Sequence, residues 1–181
     1  MRLGNLYETT GRSDAALATL RQGLTVNPDN LPARMLVGMI YDRQGDIAKA
    51  QQAYEHVLAL RPRFAPAANN LAWIYSEHGG DQEKALELAR RAQEAAPADP
   101  RVSDTLGWIL YKRGVYEQAI GLLRESATQV PDDPVIQYHY GLASLKLGDK
   151  DAARQALSAV VNSPGNFGEK AEARKALREI K

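Results

Sequence analysis

The sequence predicts an all-α fold, a right-handed superhelix of about five stacked helical hairpins that ends in a capping helix. Four prolines, at positions 28, 62, 97 and 131, are spaced 34, 35 and 34 residues apart. A constant period of this size is typical of helical repeat arrays. Small residues and glycines recur with the same period. No segment alternates between apolar and polar residues strictly enough to predict a strand.

Three columns of residues recur once in each unit and explain its shape. Two columns of small residues predict where the paired helices cross closely; they are Gly4, Gly38, Ala72, Gly107 and Gly141, and then Ala16, Ala50, Ala85, Ala119 and Ala153. A third column predicts where each first helix ends, because glycine adopts the left-handed C-cap conformation at little cost. It comprises Gly11, Gly45, Gly79, Gly114 and Gly148.

Capping residues predict the limits of the helices. Asp46, Asp81 and Asp149 follow the glycine column and are expected to cap second helices. Asn30, Asp99 and Asp133 precede first helices that carry proline in their first turn. Each second helix ends before a proline that cannot continue it. The predicted helices cover residues 1–10, 13–26, 31–44, 47–60, 65–78, 81–95, 100–113, 116–129, 134–147, 150–161 and 168–180.

These columns resemble the tetratricopeptide repeat family. Its leucine-glycine pair matches Leu3-Gly4, Val37-Gly38, Leu71-Ala72, Leu106-Gly107 and Tyr140-Gly141, and its tyrosine matches Tyr7, Tyr41 and Tyr75. The large residue of the second helix is Leu20, Tyr54, Ala89, Leu123 and Leu157. The family's early tryptophan is absent, and Leu110, Ser144 and Gly165 depart from its pattern. The resemblance implies one solenoid over 1–181, with units at about 1–30, 31–64, 65–99, 100–133 and 134–166 and a capping helix at about 168–180.

The two ends of the chain are predicted to differ. In the capping helix, Ala173, Ala176, Leu177 and Ile180 are expected to face the stack. Its solvent side is expected to carry Glu169, Lys170, Arg174, Lys175, Arg178 and Lys181. By register, Met1 stands four residues inside its helix, which favours a piece of a longer array and end-to-end self-association through the N-terminal end near Leu3 and Leu6.

Composition excludes several classes of function. The net charge is +1, from 23 basic and 22 acidic residues, and no basic block occurs, so nucleic acid is not an expected partner. No apolar run is long enough for direct membrane insertion, and no signal peptide is visible. Two cellular compartments are compatible with the sequence: the cytoplasm as the sequence is written, or the periplasm if the chain is part of a longer exported protein. There is no cysteine for disulfides, thiol catalysis or zinc.

No catalytic constellation is found, so an enzyme, a cofactor and a metal are not predicted. The three histidines, His56, His78 and His139, occupy different places in different units. Each is therefore expected to be an ordinary surface or packing residue and not a metal ligand. Asp133 is better explained as a helix cap than as an acid or base.

The resemblance implies a concave groove lined by the first helices, in which a protein or peptide partner could bind. The residue after the small column is Asn5, Met39, Trp73, Trp108 and Leu142, and the last four of these are expected to form an apolar spine. The candidate groove residues are Met35, Met39, Asp42, Arg43, Asn69, Trp73, Glu77, Asp104, Trp108, Tyr111, Lys112, Tyr138 and Leu142; Leu145 and Lys146 lie one turn further. The alternative is that the tryptophans only pack between neighbouring first helices.

The leading hypothesis is a non-catalytic interaction scaffold, and the alternative is an architectural spacer of a longer repeat protein. The clamp with which some similar domains bind acidic chaperone tails is not matched. Asn5 fits it, but its other positions hold Met1, Leu36, Pro66 and Asn70, without a cation. Segments 69–75, 104–114 and 137–153 and the last helix also resemble the C-terminal part of long bacterial repeat proteins, such as exosortase-associated lipoproteins. That resemblance implies an assembly or export role at the cell envelope.

Overall fold

The computed structural model describes residues 13–165 and 168–180, and within these ranges it contains α-helices and no strand. The helices are α1 (Ser13–Val26), α2 (Leu31–Arg43), α3 (Ile47–Leu60), α4 (Ala65–Glu77), α5 (Gln82–Ala95), α6 (Pro100–Lys112), α7 (Tyr116–Gln129), α8 (Pro134–Lys146), α9 (Lys150–Asn162) and α10 (Glu169–Glu179). The all-α prediction is confirmed, and most predicted helix ends are correct to one residue. The helix predicted at 1–10, with Gly4 and Gly11, lies outside the described residues.

The helix ends form for the reasons that the sequence indicates. The Asp46 side chain accepts a hydrogen bond from the Lys49 N–H, and Asp149 accepts one from Ala152 at 3.1 Å. The Asp99 and Asp133 carboxylates cap α6 and α8, each of which begins with proline. The four described glycines of the third column have φ between 74° and 81°, a conformation that glycine adopts without strain. The first helices of the hairpins, α2, α4, α6 and α8, therefore end just before the second helix of the same hairpin begins.

A large side chain of the second helix fills the space beside a glycine of the first helix in three hairpins. A Cβ atom added to Gly107 would lie 2.7 Å from Leu123 Cγ. The same distance separates a Cβ at Gly141 from Leu157 Cγ, and a Cβ at Gly38 would overlap the Tyr54 ring. The hairpin of α4 and α5 instead carries alanine at both positions, 72 and 89, and both alanines are fully buried. Glycine is thus paired with a large residue in three of these four hairpins, and alanine with alanine in the fourth.

The chain divides into two compact units, at residues 1–95 and 96–181. In the first unit, the described helices α1 to α5 bury an apolar core that includes Tyr54, Val57 and Ile74. The Tyr75 hydroxyl on α4 donates a hydrogen bond to the Glu55 carboxylate on α3, at 2.9 Å. This bond links two hairpins at the edge of that core.

The second unit contains α6 to α10 and is closed by α10. Ala173, Ala176 and Ile180 are buried against Leu157 and Val160 of α9, and Leu177 packs at the edge of the same cluster. The predicted inner face of the capping helix is therefore confirmed.

The solvent-side assignment of Lys170 is wrong. Its side chain is buried, and its ammonium group donates hydrogen bonds to the main-chain carbonyls of Ser163 and Gly165, the latter at 2.7 Å. A buried ammonium group needs such partners, because burial without them costs several kcal/mol. Lys170 thus fixes the turn after α9 to the first turn of α10. Lys181 lies outside the described residues.

Candidate binding cleft

The predicted groove residues of the first unit lie on α2 and α4 and are mostly half-buried. Met39, Asp42, Asn69, Trp73 and Glu77 keep part of their surface exposed, and Arg43 is exposed. Met35 is buried in the core, so it offers little surface to a partner.

Asp42 is the candidate of this unit whose charge is most perturbed. Burial raises the pKa of its carboxyl group, and the nearby charges of His78 and Arg43 partly oppose that rise. Desolvation disfavours the charged form of a carboxyl group, and the positive neighbours are too weak here to cancel it. Asp42 is therefore a carboxylate that would gain from a further cationic or hydrogen-bonding neighbour.

The predicted groove residues of the second unit form an aromatic cluster around Trp108. The Trp108 ring on α6 stacks on Tyr111 at a centroid distance of 4.9 Å and on His139 of α8 at 4.0 Å. Tyr138 lies 6.2 Å from the same ring at an angle of 50°. Stacked and tilted pairs at these distances contribute beyond their buried area. Trp108 thus packs between two neighbouring first helices and still keeps part of its surface exposed.

A buried pair of polar side chains lies beside this cluster. His139 Nδ1 is 2.9 Å and 3.0 Å from the two carboxylate oxygens of Asp104, and both residues are buried. The pair ties α6 to α8 directly below the Trp108 ring. Asp104, a predicted groove residue, therefore serves the packing of the helices and offers little surface to a partner.

An open cleft of about 390 Å³ adjoins the cluster. Three predicted groove residues, Tyr111, Tyr138 and Leu142, line it together with Leu145 and Lys146, which follow on α8. Its other wall is the capping helix, which contributes Glu172, Lys175, Ala176 and Glu179. Its volume lies near the lower end of the range of ligand pockets. Lys112, also a predicted groove residue, is exposed on α6 and does not line the cleft.

The charges around the cleft are arranged unevenly. Burial, and then the negative charges of Glu172 and Glu169, raise the pKa of the Tyr138 hydroxyl. Burial also raises the pKa of Tyr111, so both phenols stay neutral at physiological pH. Within residues 13–165 and 168–180, no ion pair forms between the lining carboxylates and the lining lysines. The apolar floor is therefore flanked by charges that are available to a partner.

Two parts of this site were missed by sequence reasoning. Asp104 and His139 are separated by 35 residues, one more than the period of 34 residues between Gly107 and Gly141, so neighbouring first helices hold the two side chains at nearly equivalent heights. A separation close to one period predicts that two side chains lie near each other, so this contact could have been predicted from the sequence. The wall formed by Glu172, Lys175 and Glu179 is the second part: the sequence predicts their helix only as a cap, because no repeat column extends into it.

Other classes of site find no support in the described residues. There, no three side chains among His, Asp and Glu converge as they would to hold a metal ion. No described helix is long and apolar enough to cross a membrane.

The chain matches two models of helical repeat families. The tetratricopeptide repeat model matches residues 1–50 and 38–100. A model of anaphase-promoting complex, cyclosome, subunit 3 matches residues 78–160.

Individual relatives are similar over most of this chain. A TPR repeat-containing protein of Pseudomonas aeruginosa is 27% identical over 68% of the chain and 21% of its own length. Cellulose synthase 2 operon protein C of Komagataeibacter xylinus is 33% identical over 86% of the chain and 12% of its own length. The chain thus spans only a small part of these relatives.

A solved structure shows the same fold. A thermophilic TPR protein of Thermus thermophilus superposes with a TM-score of 0.74 at 21% identity and covers 98% of this chain and 97% of its own. Together with the repeat columns, the hairpins and the family model, this likeness confirms the predicted fold class. The chain belongs to the tetratricopeptide repeat family.

Proposed function

We propose that this chain is a non-catalytic interaction module that holds a short protein segment in the cleft between α8 and α10. The observation that supports this most directly is the cleft itself, whose apolar floor of Leu142, Leu145 and Ala176 is flanked by two tyrosines and by charges. Family membership supports a protein partner in general, because repeat arrays of this kind form extended binding surfaces.

The side chains of the cleft are of the types that bind proteins well. Tyrosine and tryptophan concentrate in binding hot spots, where they contact a partner through large rigid surfaces. The tyrosines are also held before any partner arrives, since Trp108 stacks on Tyr111 and lies beside Tyr138. A preformed wall lowers the ordering cost of binding.

The test is selection from a random peptide library displayed on phage, with the purified chain as the target. Leu142→Glu places a charge on the cleft floor and is expected to abolish binding of the selected peptides. Leu147→Glu is the matched control, because Leu147 is 39% exposed and does not line the cleft. Circular dichroism confirms that both variants keep their helices. Failure to select any peptide, or equal binding to both variants, would refute the proposal.

A second candidate is an architectural segment of a longer repeat protein that serves polysaccharide export at the bacterial envelope. The similarity to cellulose synthase 2 operon protein C, of which this chain covers 12%, favours it. Self-association is the property that distinguishes it in solution. Sedimentation should then show oligomers that grow with concentration, whereas a strict monomer at high concentration would oppose this candidate.

A further inference from the structure

We infer that the occupant of the cleft is an extended segment with one bulky apolar side chain between a basic and an acidic residue. This inference rests on the proposed function and specifies its partner. It follows from three properties of the cleft: the size of its floor, the placement of its charges, and its length.

The floor accommodates one large side chain and not a whole helix. Leu142, Leu145 and Ala176 form an apolar base, and the Tyr111 and Tyr138 rings lie at its edge. A volume of about 390 Å³ is small for an α-helix, whose diameter with side chains is about 10–12 Å. An extended segment can instead insert a single anchor such as Leu, Phe or Trp and leave its neighbours at the rim.

The charges give the cleft two different ends. Glu169 and Glu172, in the first two turns of α10, act on the Tyr138 hydroxyl, so the Tyr138 end is acidic. Lys146 ends α8, eight residues beyond Tyr138, and Lys175 and Glu179 follow Glu172 along α10 and also line the cleft. A partner is therefore complementary if its basic residue lies near Tyr138 and its acidic residue near Lys146.

The length of the cleft sets the spacing of these two residues. Tyr138 and Lys146 are eight residues apart on α8, which corresponds to about 12 Å along the helix axis. An extended chain advances about 3.3 Å per residue, so its basic and acidic residues should lie about four positions apart. The apolar anchor falls between them. The cleft does not fix the direction of the segment, so either chain order is allowed.

The experiment compares peptides selected from a random library on the unmodified chain and on a charge-reversed variant. On the unmodified chain, the consensus should contain a basic, an apolar and an acidic position in this spacing. On Lys146→Glu, the acidic position should become basic while the apolar anchor stays. The consensus peptide of the unmodified chain should bind this variant about five-fold more weakly, as expected for one exposed ion pair.

Lys150→Glu provides the control, since Lys150 is an exposed lysine of the same unit that does not line the cleft. Selection on it should return the original consensus. Peptides that lose binding in Leu142→Glu but carry no charge pattern, or whose pattern is unchanged on Lys146→Glu, would overturn this inference and leave the proposed function standing. If no peptide is selected at all, both are overturned.

Discussion

Removal of the Asp104 carboxylate should destabilise the second unit strongly. The carboxylate accepts from His139 at 2.9 Å and 3.0 Å, and His139 is only 2% exposed, so water cannot replace the lost acceptor easily. In Asp104→Ala the imidazole stays buried without this partner. Trp108 stacks on the imidazole at 4.0 Å, and in this variant the imidazole is no longer held in place by Asp104.

The expected magnitude follows from the burial of both partners. Removal of one member of a buried ion pair costs about 3–5 kcal/mol, and a neutral donor left without its acceptor costs about 1–3 kcal/mol. We therefore expect a loss of about 3 kcal/mol, which for a chain of this length lowers the melting temperature by about 6–12 °C. The double variant Asp104→Leu, His139→Leu removes both polar groups and should recover most of the loss, because apolar replacement of a whole buried pair is often neutral.

Urea unfolding followed by circular dichroism measures these differences, and fluorescence reports on the tryptophan. The Trp73→Phe background leaves Trp108 as the single tryptophan of the chain, so its emission maximum should shift to longer wavelength in Asp104→Ala. If Asp104→Ala unfolds within 1 kcal/mol of the parent, a threshold of about the error of such measurements, the pair does not stabilise the packing of α6 on α8. A double variant that is less stable than Asp104→Ala would refute the argument on burial.

Three further predictions test the packing and the electrostatics. Gly107→Ala should lower the free energy of unfolding by about 1–3 kcal/mol, because the added Cβ would meet Leu123. Gly121→Ala should instead stabilise α7 by about 0.5–1 kcal/mol, because a Cβ there meets nothing within 4 Å. Urea unfolding compares the two variants, and equal effects would contradict the packing argument. Leu157→Ala should cost about 2–5 kcal/mol in the same assay, since Leu157 is fully buried, and a loss below that range would mean that the core collapses around it. Burial raises the pKa of Asp42, so the folded chain holds that proton more tightly than the unfolded chain, and stability should fall as the pH rises through the ordinary aspartate pKa to the raised one. Asp42→Asn should flatten this fall in thermal melts across that window, and an unchanged slope would show that Asp42 does not cause it.

The periodic part of the fold was accessible from the sequence because each column has a local physical cause. The φ of Gly114 and the caps at Asp99 and Asp149 depend on neighbouring residues alone, so the helix limits could be predicted closely. Lys170 could not be placed in this way. Its partners, the carbonyls of Ser163 and Gly165, lie in the turn before α10, where no repeat column applies.

The candidate site was predictable only in part. The position after the small column does carry surface that is open in the structure, as for Leu142 and Trp108. The burial of a groove residue depends on side chains from two helices. From the sequence Asp104 is expected to be an exposed carboxylate, but in the structure it is buried in a hydrogen bond with His139 of the neighbouring first helix. The cleft likewise needs α10, whose approach to α8 no single segment encodes.

The match between glycine and large residue has a consequence for how such a chain can change over time. Gly107 with Leu123, Gly141 with Leu157 and Gly38 with Tyr54 are each complementary within one hairpin, and the hairpin of α4 and α5 carries alanine at both positions. A duplication or exchange of an entire hairpin carries both members along and preserves the fit. A crossover that falls between the two helices separates them and leaves either a hole or an overlap. Viable recombination should therefore be restricted to the turns that precede α2, α4, α6 and α8.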